Sequence, residues 1–485
     1  MAISLHILLE AHNLQKSFGG NTVLNGVDLT LHEGEIVLLQ GANGSGKTTL
    51  LNILTGNLEP EAGAIIAHNG RTQSFNFPRP FWSNLLPFAY FSPERLAEER
   101  MGRTWQDVRL FPTQTLRYNI AMATPGQSGE NPLKALCAPW LINKAEAENV
   151  KAADTILKQF GMAGREDSTG DRISLGQSKR VAIARAIQAG AKILFLDEPL
   201  AGLDRSGIKN VVDMLAQLST EHKITLVIIE HAFNIPVISK IAHTVWTLAD
   251  GKLTTGLPER NAEAPGNELR QWMKEISGKT GRFMETEIPN GAKLSIAGRG
   301  THGKRVFKVE NITVNRGLRK IISPPLCLEL YEGEVAMLEA PNGWGKSTLL
   351  DAFAGIIDME TGILEINGIH ANRLPIWERA KQGLHLMRSQ STLFAKSTVK
   401  ENSLMSRQPA TLMADIACRK AGSLSGGESR RLSFGCAINN PGTNILMLDE
   451  PFQAIDREES QRIRTTIAEQ SKTKTFLITI PRTIE

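Results

Sequence analysis

The sequence predicts an α/β fold that occurs twice in one chain, and two repeated patterns support this prediction. Residues 41–49 (GANGSGKTT) and 340–348 (APNGWGKST) each follow an apolar strand and open a helix. The segments AKILFLDEP (191–199) and TNILMLDEP (443–451) each predict a strand that is buried on both faces and ends in Asp-Glu. At 485 residues the chain is long enough for two or three domains.

The overall composition is that of a soluble globular protein. The chain is 41% hydrophobic and 22% charged, and its net charge of +5 is spread along the sequence, which favours a solvated surface over a nucleic-acid groove. No apolar run reaches membrane-spanning length, and the N-terminal MAISLHILLEAHNL predicts a first strand rather than a signal peptide. Four scattered cysteines favour reduced thiols. We therefore expect a cytoplasmic protein whose membrane role, if it has one, comes through partners.

The two glycine-rich segments match the P-loop pattern GxxxxGK[ST]. Small residues let successive backbone N–H groups surround phosphates, and the helix N-terminus adds a positive dipole. Lys47 and Lys346 are predicted to reach the outer phosphates, and Thr48 and Ser347 to bind Mg²⁺. The further predicted ATP-binding residues of these loops are Asn43, Gly44, Ser45, Gly46, Thr49, Asn342, Gly343, Trp344, Gly345 and Thr348.

The Asp-Glu pairs lie where a buried parallel strand would reach the nucleotide crevice. Asp197 and Asp449 are predicted to hold Mg²⁺ through water. Glu198 and Glu450 are predicted to polarise the attacking water. A lone Asp-Glu pair is usually solvated surface, but its repetition behind a P-loop favours the catalytic interpretation.

A third repeat joins ISLGQSKRVAIARAI (173–187) with LSGGESRRLSFGCAI (424–438). Together with the P-loops, the Asp-Glu strands and the turns AGLD (201–204) and QAID (453–456), this order of motifs resembles that of the ATP-binding cassette (ABC) ATPases, in tandem. The resemblance covers nearly the whole chain apart from a linker.

This resemblance implies two nucleotide-binding domains, each with a RecA-like P-loop core and a helical subdomain, paired head to tail as a pseudo-dimer. Each ATP would then lie between one P-loop and the signature of the other cassette. The first signature is altered, because Leu175 replaces a glycine and adds an isobutyl group where the partner's phosphate is expected. The signature residues implied to contact ATP are Ser425, Gly426, Gly427 and Glu428 in the second cassette and Ser174, Gly176 and Gln177 in the first.

Three further residues of the first cassette occupy positions that the family uses. Gln106, in RTWQDVRLFP, resembles the Q-loop glutamine that contacts metal and water. His231, at the end of ITLVIIEH, resembles the switch histidine that contacts the γ-phosphate. Phe18 stands in the place of the ring that stacks on adenine, although a phenylalanine packed in the core is the alternative.

The second cassette departs from the family pattern. Arg316 takes the place of the adenine-stacking ring, and Ala340 replaces the first P-loop glycine. Its Q-loop is blurred, because Ser389 has the expected offset and Gln390, the candidate metal ligand, comes one place late. Alignment on the apolar strand of TFLITIPRTIE replaces the switch histidine with Ile480. We therefore expect one hydrolytic and one degenerate ATP site.

The predicted domain organisation is a complete first cassette over 1–250, a linker over 251–304 with one short helix around LRQWMKEI, and a second cassette over 305–485. The second helical subdomain is predicted to be trimmed, because the interval between Q-loop and signature is about half as long as in the first. The aromatic insertion over 71–100 predicts either a partner surface or a segment folded back on the cassette.

The leading functional hypothesis is the ATPase subunit of a membrane transporter, since RTWQDVRLFP resembles importers of branched-chain amino acids. The implied ligands are ATP and Mg²⁺. The implied partners are integral membrane permease subunits, favoured as a heterodimer, and a substrate-binding protein. Nucleic acid is not expected. The protein would then be peripheral on the cytoplasmic face of the membrane. The alternatives are a soluble tandem ATPase acting on ribosomes, which the absence of EPTNHLD disfavours, and a DNA-repair ATPase, which the absence of heptads disfavours.

Overall fold

The structure is a computed structural model of the chain, and it forms two compact units, Met1–Ala262 and Glu263–Glu485. It describes residues 6–42, 44–79, 90–105, 108–127, 139–230, 234–259, 265–278, 281–298, 303–316, 319–389, 392–405, 413, 416–424, 426–440, 442–452, 455 and 457–482.

The first unit contains ten strands and seven α-helices among these residues. Its strands are β1 (Ile7–Phe18), β2 (Asn21–His32), β3 (Ile36–Gln40), β4 (Ala62–His68), β5 (Thr72–Phe77), β6 (Met101–Thr104), β7 (Ile193–Asp197), β8 (Thr225–Ile229), β9 (Thr244–Ala249) and β10 (Lys252–Gly256). Its helices are α1 (Lys47–Leu54), α2 (Pro93–Glu98), α3 (Leu116–Ala121), α4 (Pro139–Gln159), α5 (Leu175–Gln188), α6 (Arg205–Thr220) and α7 (Ile235–Ser239).

Two sheets build this unit. The central sheet has the order β10-β9-β3-β8-β7-β6, in which all neighbours except β10 run parallel. Its central strands are buried on both faces, as their uninterrupted apolar runs predict. The second sheet, β2-β1-β4-β5, is antiparallel. The predicted first strand is confirmed as β1.

The second unit repeats this architecture. Its strands are β11 (Arg282–Ile288), β12 (Ala292–Gly298), β13 (Arg305–Arg316), β14 (Arg319–Tyr331), β15 (Val335–Ala340), β16 (Thr361–Ile366), β17 (Ile369–His370), β18 (Leu384–Met387), β19 (Ile445–Asp449) and β20 (Thr475–Pro481). Its helices are α8 (Pro265–Ser277), α9 (Lys346–Ala354), α10 (Ile376–Lys381), α11 (Val399–Met405), α12 (Gly426–Ile438) and α13 (Arg457–Gln470).

The edge of the second central sheet is built differently from that of the first. The order is β11-β12-β15-β20-β19-β18, in which β15, β20, β19 and β18 are parallel while the β11–β12 hairpin is antiparallel. In the first unit, β9 and β10 lie on one side of β3 and follow β8 in the chain. In the second unit, the β11–β12 hairpin lies on the same side of β15 and precedes β15 in the chain. The same places in the two sheets are therefore filled from opposite directions along the chain.

The prediction of a linker over 251–304 differs from the structure. Strand β10 belongs to the first unit, while α8 and the β11–β12 hairpin belong to the second. The predicted helix around LRQWMKEI is confirmed as α8. Its Trp272 is buried edge-to-face against Phe452, with ring centroids 6.2 Å apart. The glycine-rich, charged composition concealed two strands that are defined by their pairing with β15.

The described parts of the aromatic segment 71–100 fold back on the first unit. Phe75, Phe77 and Phe91 are buried, and the Phe75 and Phe91 rings lie 5.4 Å apart at centroid. Residues 80–89 lie outside the described ranges. Between the Q-loop and the signature, the described residues of the first unit form α3 and α4, and those of the second form α11.

Candidate nucleotide-binding sites

The P-loop of the first unit is closely packed between β3 and α1. Gly46 has φ +101°, and a Cβ there would lie 2.6 Å from Val23 Cγ1, so only glycine fits. A Cβ at Gly41 would overlap the carbonyl oxygen of Leu248. The Lys47 ammonium donates to the carbonyl oxygens of Gly41 at 2.7 Å and Ala42 at 2.8 Å, which places its charge across the loop.

The structure describes the remaining predicted residues of this loop apart from Asn43, which lies outside the described residues. Gly44 is exposed at the tip of the loop, and Thr48 and Thr49 lie in the first turn of α1. The Ser45 hydroxyl oxygen is buried and has no hydrogen-bond partner among the described residues. A buried polar atom in a loop that leaves no room for a Cβ at Gly41 or Gly46 fits a phosphate-binding loop.

The second P-loop has the same turn but a different set of partners. Gly345 has φ +109° before α9, and Gly343 is exposed at the tip. The Lys346 ammonium donates to Ala340 O at 2.9 Å and forms an ion pair with Glu450 Oε1 at 3.1 Å. This pair is nearly buried, with side-chain exposures of 5% and 13%. Lys346 is therefore neutralised by Glu450, the glutamate that was predicted to polarise the attacking water.

The β11–β12 hairpin contacts the second P-loop directly. Trp344 Nε1 donates to Pro289 O at 3.3 Å, and Arg482 Nη1 donates to Gly291 O at 2.7 Å. The backbone N–H of Arg482 donates to Ala340 O at 3.1 Å. The turn of the hairpin is thus tied through Trp344 to the P-loop, which also contains Asn342. Thr348 lies in the first turn of α9.

The two Asp-Glu pairs end β7 and β19 with the same backbone geometry. Glu198 and Glu450 have φ near +50°, and their N–H groups donate to Ile229 O at 2.9 Å and Thr479 O at 3.1 Å. A positive φ in a residue other than glycine is uncommon, and it turns both glutamates away from the strand direction. The repeat therefore extends to backbone detail.

The second unit brings a predicted metal-ligand pair into contact. Asp449 is 2% exposed, and it accepts hydrogen bonds from Ser347 Oγ at 2.7 Å and Thr479 Oγ1 at 2.8 Å. A hydroxyl and a carboxylate are the hard oxygen ligands that Mg²⁺ prefers. In the first unit, Asp197 lies 3.4 Å from the Arg103 guanidinium. The hydroxyl–carboxylate pair of the second unit fits a magnesium ion.

The altered signature still forms a capped helix. Ser174 Oγ accepts from the Gln177 N–H at 3.3 Å, and Gln177 Oε1 accepts from the Ser174 N–H at 2.9 Å. This capping box leaves Leu175 48% exposed, with its side chain over Gly202 of the AGLD turn. Gly176 follows in the first turn of α5.

The intact signature begins α12 at Gly426, followed by Gly427, and Ser425 lies outside the described residues. Glu428 pairs with Arg419 at 3.0 Å. A helix N-terminus carries free N–H donors and a positive dipole. Both signature helices can therefore present an N-terminus to an anion.

Strand register corrects one alignment and supports another. Asp197 is opposite Ile229 and Asp449 is opposite Thr479, so Ile480 matches Glu230, and Pro481 matches His231. The expectation that Ile480 replaces the histidine was therefore wrong by one residue, because two apolar strands can be aligned from sequence in neighbouring registers.

The same comparison across β6 and β18 matches Ser389 with Gln106. The predicted ligands Gln106, His231 and Gln390 lie outside the described residues, as does the side chain of Arg316. Phe18 ends β1 and is 48% exposed, with Lys16 Nζ 5.5 Å from its ring centroid. This exposure excludes the core-packing alternative for Phe18.

Two basic residues in the signature helices were missed by the sequence analysis. Lys179 Nζ donates to Glu198 O at 2.7 Å and Ala201 O at 2.8 Å. Burial lowers the pKa of Lys179, and the carboxylates of Glu230 and Glu198 oppose that shift. Arg430 stands at the same helix position and donates to Ser389 O at 2.6 Å and to Glu450 O. Their only sequence signal is a basic residue five places after each signature serine.

Glu230 was missed as well. Its carboxylate accepts from Leu200 N at 2.5 Å and from Asn234 Nδ2 at 3.0 Å. It thereby joins the turn after Glu198 to the start of α7.

Within the described ranges, no helix is long and apolar enough to cross a membrane.

Comparison with known proteins adds the family context. Residues 24–201 and 325–453 match the family described as ABC transporter. The ribose import ATP-binding protein RbsA of Geobacillus kaustophilus is 27% identical over 95% of this chain and 89% of its own length. The high-affinity branched-chain amino acid transport ATP-binding protein LivG of Escherichia coli is 30% identical over 55% of this chain and 98% of its own. A crystal structure described as the ADP conformation of an ATP-binding cassette of an ABC transporter is 27% identical, with a TM-score of 0.42, over 52% of this chain and 92% of its own.

Proposed function

Because the chain belongs to the ABC transporter family and is one of its ATPases, we propose that it drives the import of a small polar solute through separate membrane-spanning subunits. The observation that carries the proposal is the repeated constellation of P-loop lysine, helix hydroxyl and strand-end Asp-Glu. The relative named for ribose import supports the direction. Both relatives are named for small polar solutes, ribose and branched-chain amino acids, which supports the class of substrate.

The first site is proposed to hydrolyse ATP. Lys47 neutralises the outer phosphates from its place across the loop, and Thr48 and Asp197 would hold Mg²⁺, with Gln106 as a further ligand. When bound, Mg²⁺ supplies charge neutralisation for the phosphates. Glu198 orients the attacking water and accepts its proton, while His231 contacts the γ-phosphate. Phe18, which is exposed, is available to stack on adenine.

The second site is proposed to hold ATP without efficient turnover. Ser347 and Asp449 keep a ligand pair for Mg²⁺, so binding survives. Pro481 cannot donate from its side chain to a γ-phosphate, and Glu450 is engaged by Lys346. The family arrangement would also assign the altered signature at Leu175 to this ATP and the intact signature to the first. Loss of even one transition-state donor costs about a hundredfold in rate or more.

The partners are proposed to be integral membrane permease subunits, with the ATPase peripheral on the cytoplasmic face. The unequal intervals between Q-loop and signature in the two units favour a heterodimeric permease. A substrate-binding protein completes the system.

The experiment is affinity purification of the full chain from detergent-solubilised membranes of its source, followed by an ATPase assay with and without the co-purified subunits. We expect one or two multi-span proteins in the eluate and faster ATP turnover in their presence. Recovery of ribosomes without any permease would contradict the transport proposal.

A further inference from the structure

One arginine with a buried side chain in the first unit has no role among the predicted site residues. Arg103 lies on β6, paired with Phe195 of β7, and its side chain is 5% exposed. Burial of a guanidinium is costly unless charged or polar partners compensate. Its contacts therefore indicate what the charge is for.

The guanidinium joins the P-loop helix to the strand-end carboxylate. Nη2 lies 3.4 Å from Asp197 Oδ2, and Nη1 donates to Asn52 Oδ1 of α1 at 2.5 Å. The guanidinium carbon lies 4.1 Å from the ring centroid of Trp105, one residue before the predicted Q-loop glutamine. Nε is buried and has no hydrogen-bond partner among the described residues. The charge is thus held by three elements of the nucleotide site.

The second unit provides an internal comparison, because strand register matches each of these positions. Leu386 stands in the place of Arg103, and Arg388 stands in the place of Trp105. Arg388 pairs with Asp351, the counterpart of Asn52, at 2.7 Å. Asp449 is held by the Ser347 and Thr479 hydroxyls instead. The Asp197 carboxylate of the first unit therefore lies beside a guanidinium, whereas the Asp449 carboxylate accepts from hydroxyl groups, and the nearby Arg430 reaches the backbone oxygen of Asp449 at 3.4 Å.

We propose that Arg103 is a positioning residue that orients Asp197 and competes with Mg²⁺ for it, so that the first site binds metal more weakly and releases it more readily than it would without this charge. A neighbouring arginine typically reduces the proton affinity of a carboxylate about tenfold or more. The positive charge of the arginine that disfavours a proton on the carboxylate also disfavours a metal cation beside it. Weaker metal binding favours turnover, because MgADP must leave the site after each cycle. A site that retains ATP has no product to release and needs no such weakening.

This inference rests on the proposed nucleotide site, and it is tested by the contribution of the metal to nucleotide affinity. The full chain carries Lys346→Ala, so that binding reports the first site. The dissociation constant of a fluorescent ADP analogue is measured with excess Mg²⁺ and again with EDTA, and the ratio of the two values is compared among variants. Arg103→Gln should increase the strengthening by Mg²⁺ about tenfold. Arg103→Lys, which keeps the charge, should stay near the parent value.

Arg388→Gln is the matched control. It removes an arginine of the second unit that pairs with Asp351, the counterpart of Asn52, and it should leave the ratio unchanged. Asn52→Asp is a second route that opens no cavity. It supplies a carboxylate that draws Arg103 from Asp197, and it should shift the ratio in the same direction as Arg103→Gln. Parent-like ratios in both Arg103→Gln and Asn52→Asp, or in Asn52→Asp alone if Arg103→Gln fails to unfold cooperatively, would overturn the proposal. Failure of the parent protein to bind the analogue would instead contradict the proposed function.

Discussion

Removal of the Lys47 ammonium is expected to abolish ATP turnover by the whole chain. The ammonium is held 2.7 and 2.8 Å from two carbonyl oxygens of the loop, so its charge is already placed where phosphates bind. A unit phosphate charge about 4 Å away interacts with it by about 4 kcal/mol at an effective dielectric constant of about 20. Since each ~1.4 kcal/mol is tenfold in rate, Lys47→Ala should slow turnover about a thousandfold.

The assay is phosphate release at saturating MgATP by purified wild-type and Lys47→Ala protein. Lys209→Ala, which removes an exposed lysine on α6 away from the loop, is the control and should keep the wild-type rate. Both variants should show the cooperative thermal transition of the wild type, so that loss of turnover in Lys47→Ala reports catalysis and not unfolding. Turnover within tenfold of wild type in Lys47→Ala would refute the assignment of hydrolysis to the first P-loop.

Two further predictions concern stability. Lys179→Met should lower the free energy of unfolding by about 2–6 kcal/mol, since two carbonyl acceptors lose their donor at about 1–3 kcal/mol each. Denaturant unfolding measures this loss, and an unchanged midpoint would contradict it. Burial and the charge of Lys474 lower the pKa of His385 from 6.5, so the unfolded chain binds the proton more tightly, and stability is lost as pH falls below 6.5. The thermal midpoint of His385→Gln should therefore fall less between pH 7.5 and pH 5 than that of wild type, and equal losses would contradict this.

The sequence predicted those parts of the site that depend on local spacing. Lys47 and Asp197 are bounded by strands and helices whose apolar runs are unambiguous, and the structure places Lys47 at the start of α1, after β3, and Asp197 at the carboxyl end of β7. Ser347 and Asp449, far apart in sequence, are in direct contact as their predicted roles require.

The features that the sequence did not predict are set by long-range pairing or by burial. The β11–β12 hairpin was interpreted as linker, because strands in a polar, glycine-containing segment are specified by the neighbour they join rather than by propensity. The sequence alignment matched Ile480, rather than Pro481, with His231. Hydrogen-bond register, which the sequence does not show, is what matches the positions of two apolar strands. Arg103 and Lys179 were passed over because a single basic residue is ordinarily solvated, and only the packed structure shows that these two are buried.

The central claim is that the two ATP sites are unequal, and the most direct measurement compares the two strand-end glutamates in otherwise identical proteins. Steady-state phosphate release is measured for Glu198→Gln and Glu450→Gln at saturating MgATP, with nucleotide retention after gel filtration recorded for each. Glu198→Gln should reduce the rate about a hundredfold or more, whereas Glu450→Gln should keep most of the wild-type rate, because Glu450 is paired with Lys346 in the site that we propose to hold ATP without efficient turnover. Equal loss of rate in the two variants would show that the sites are equivalent and would contradict the account.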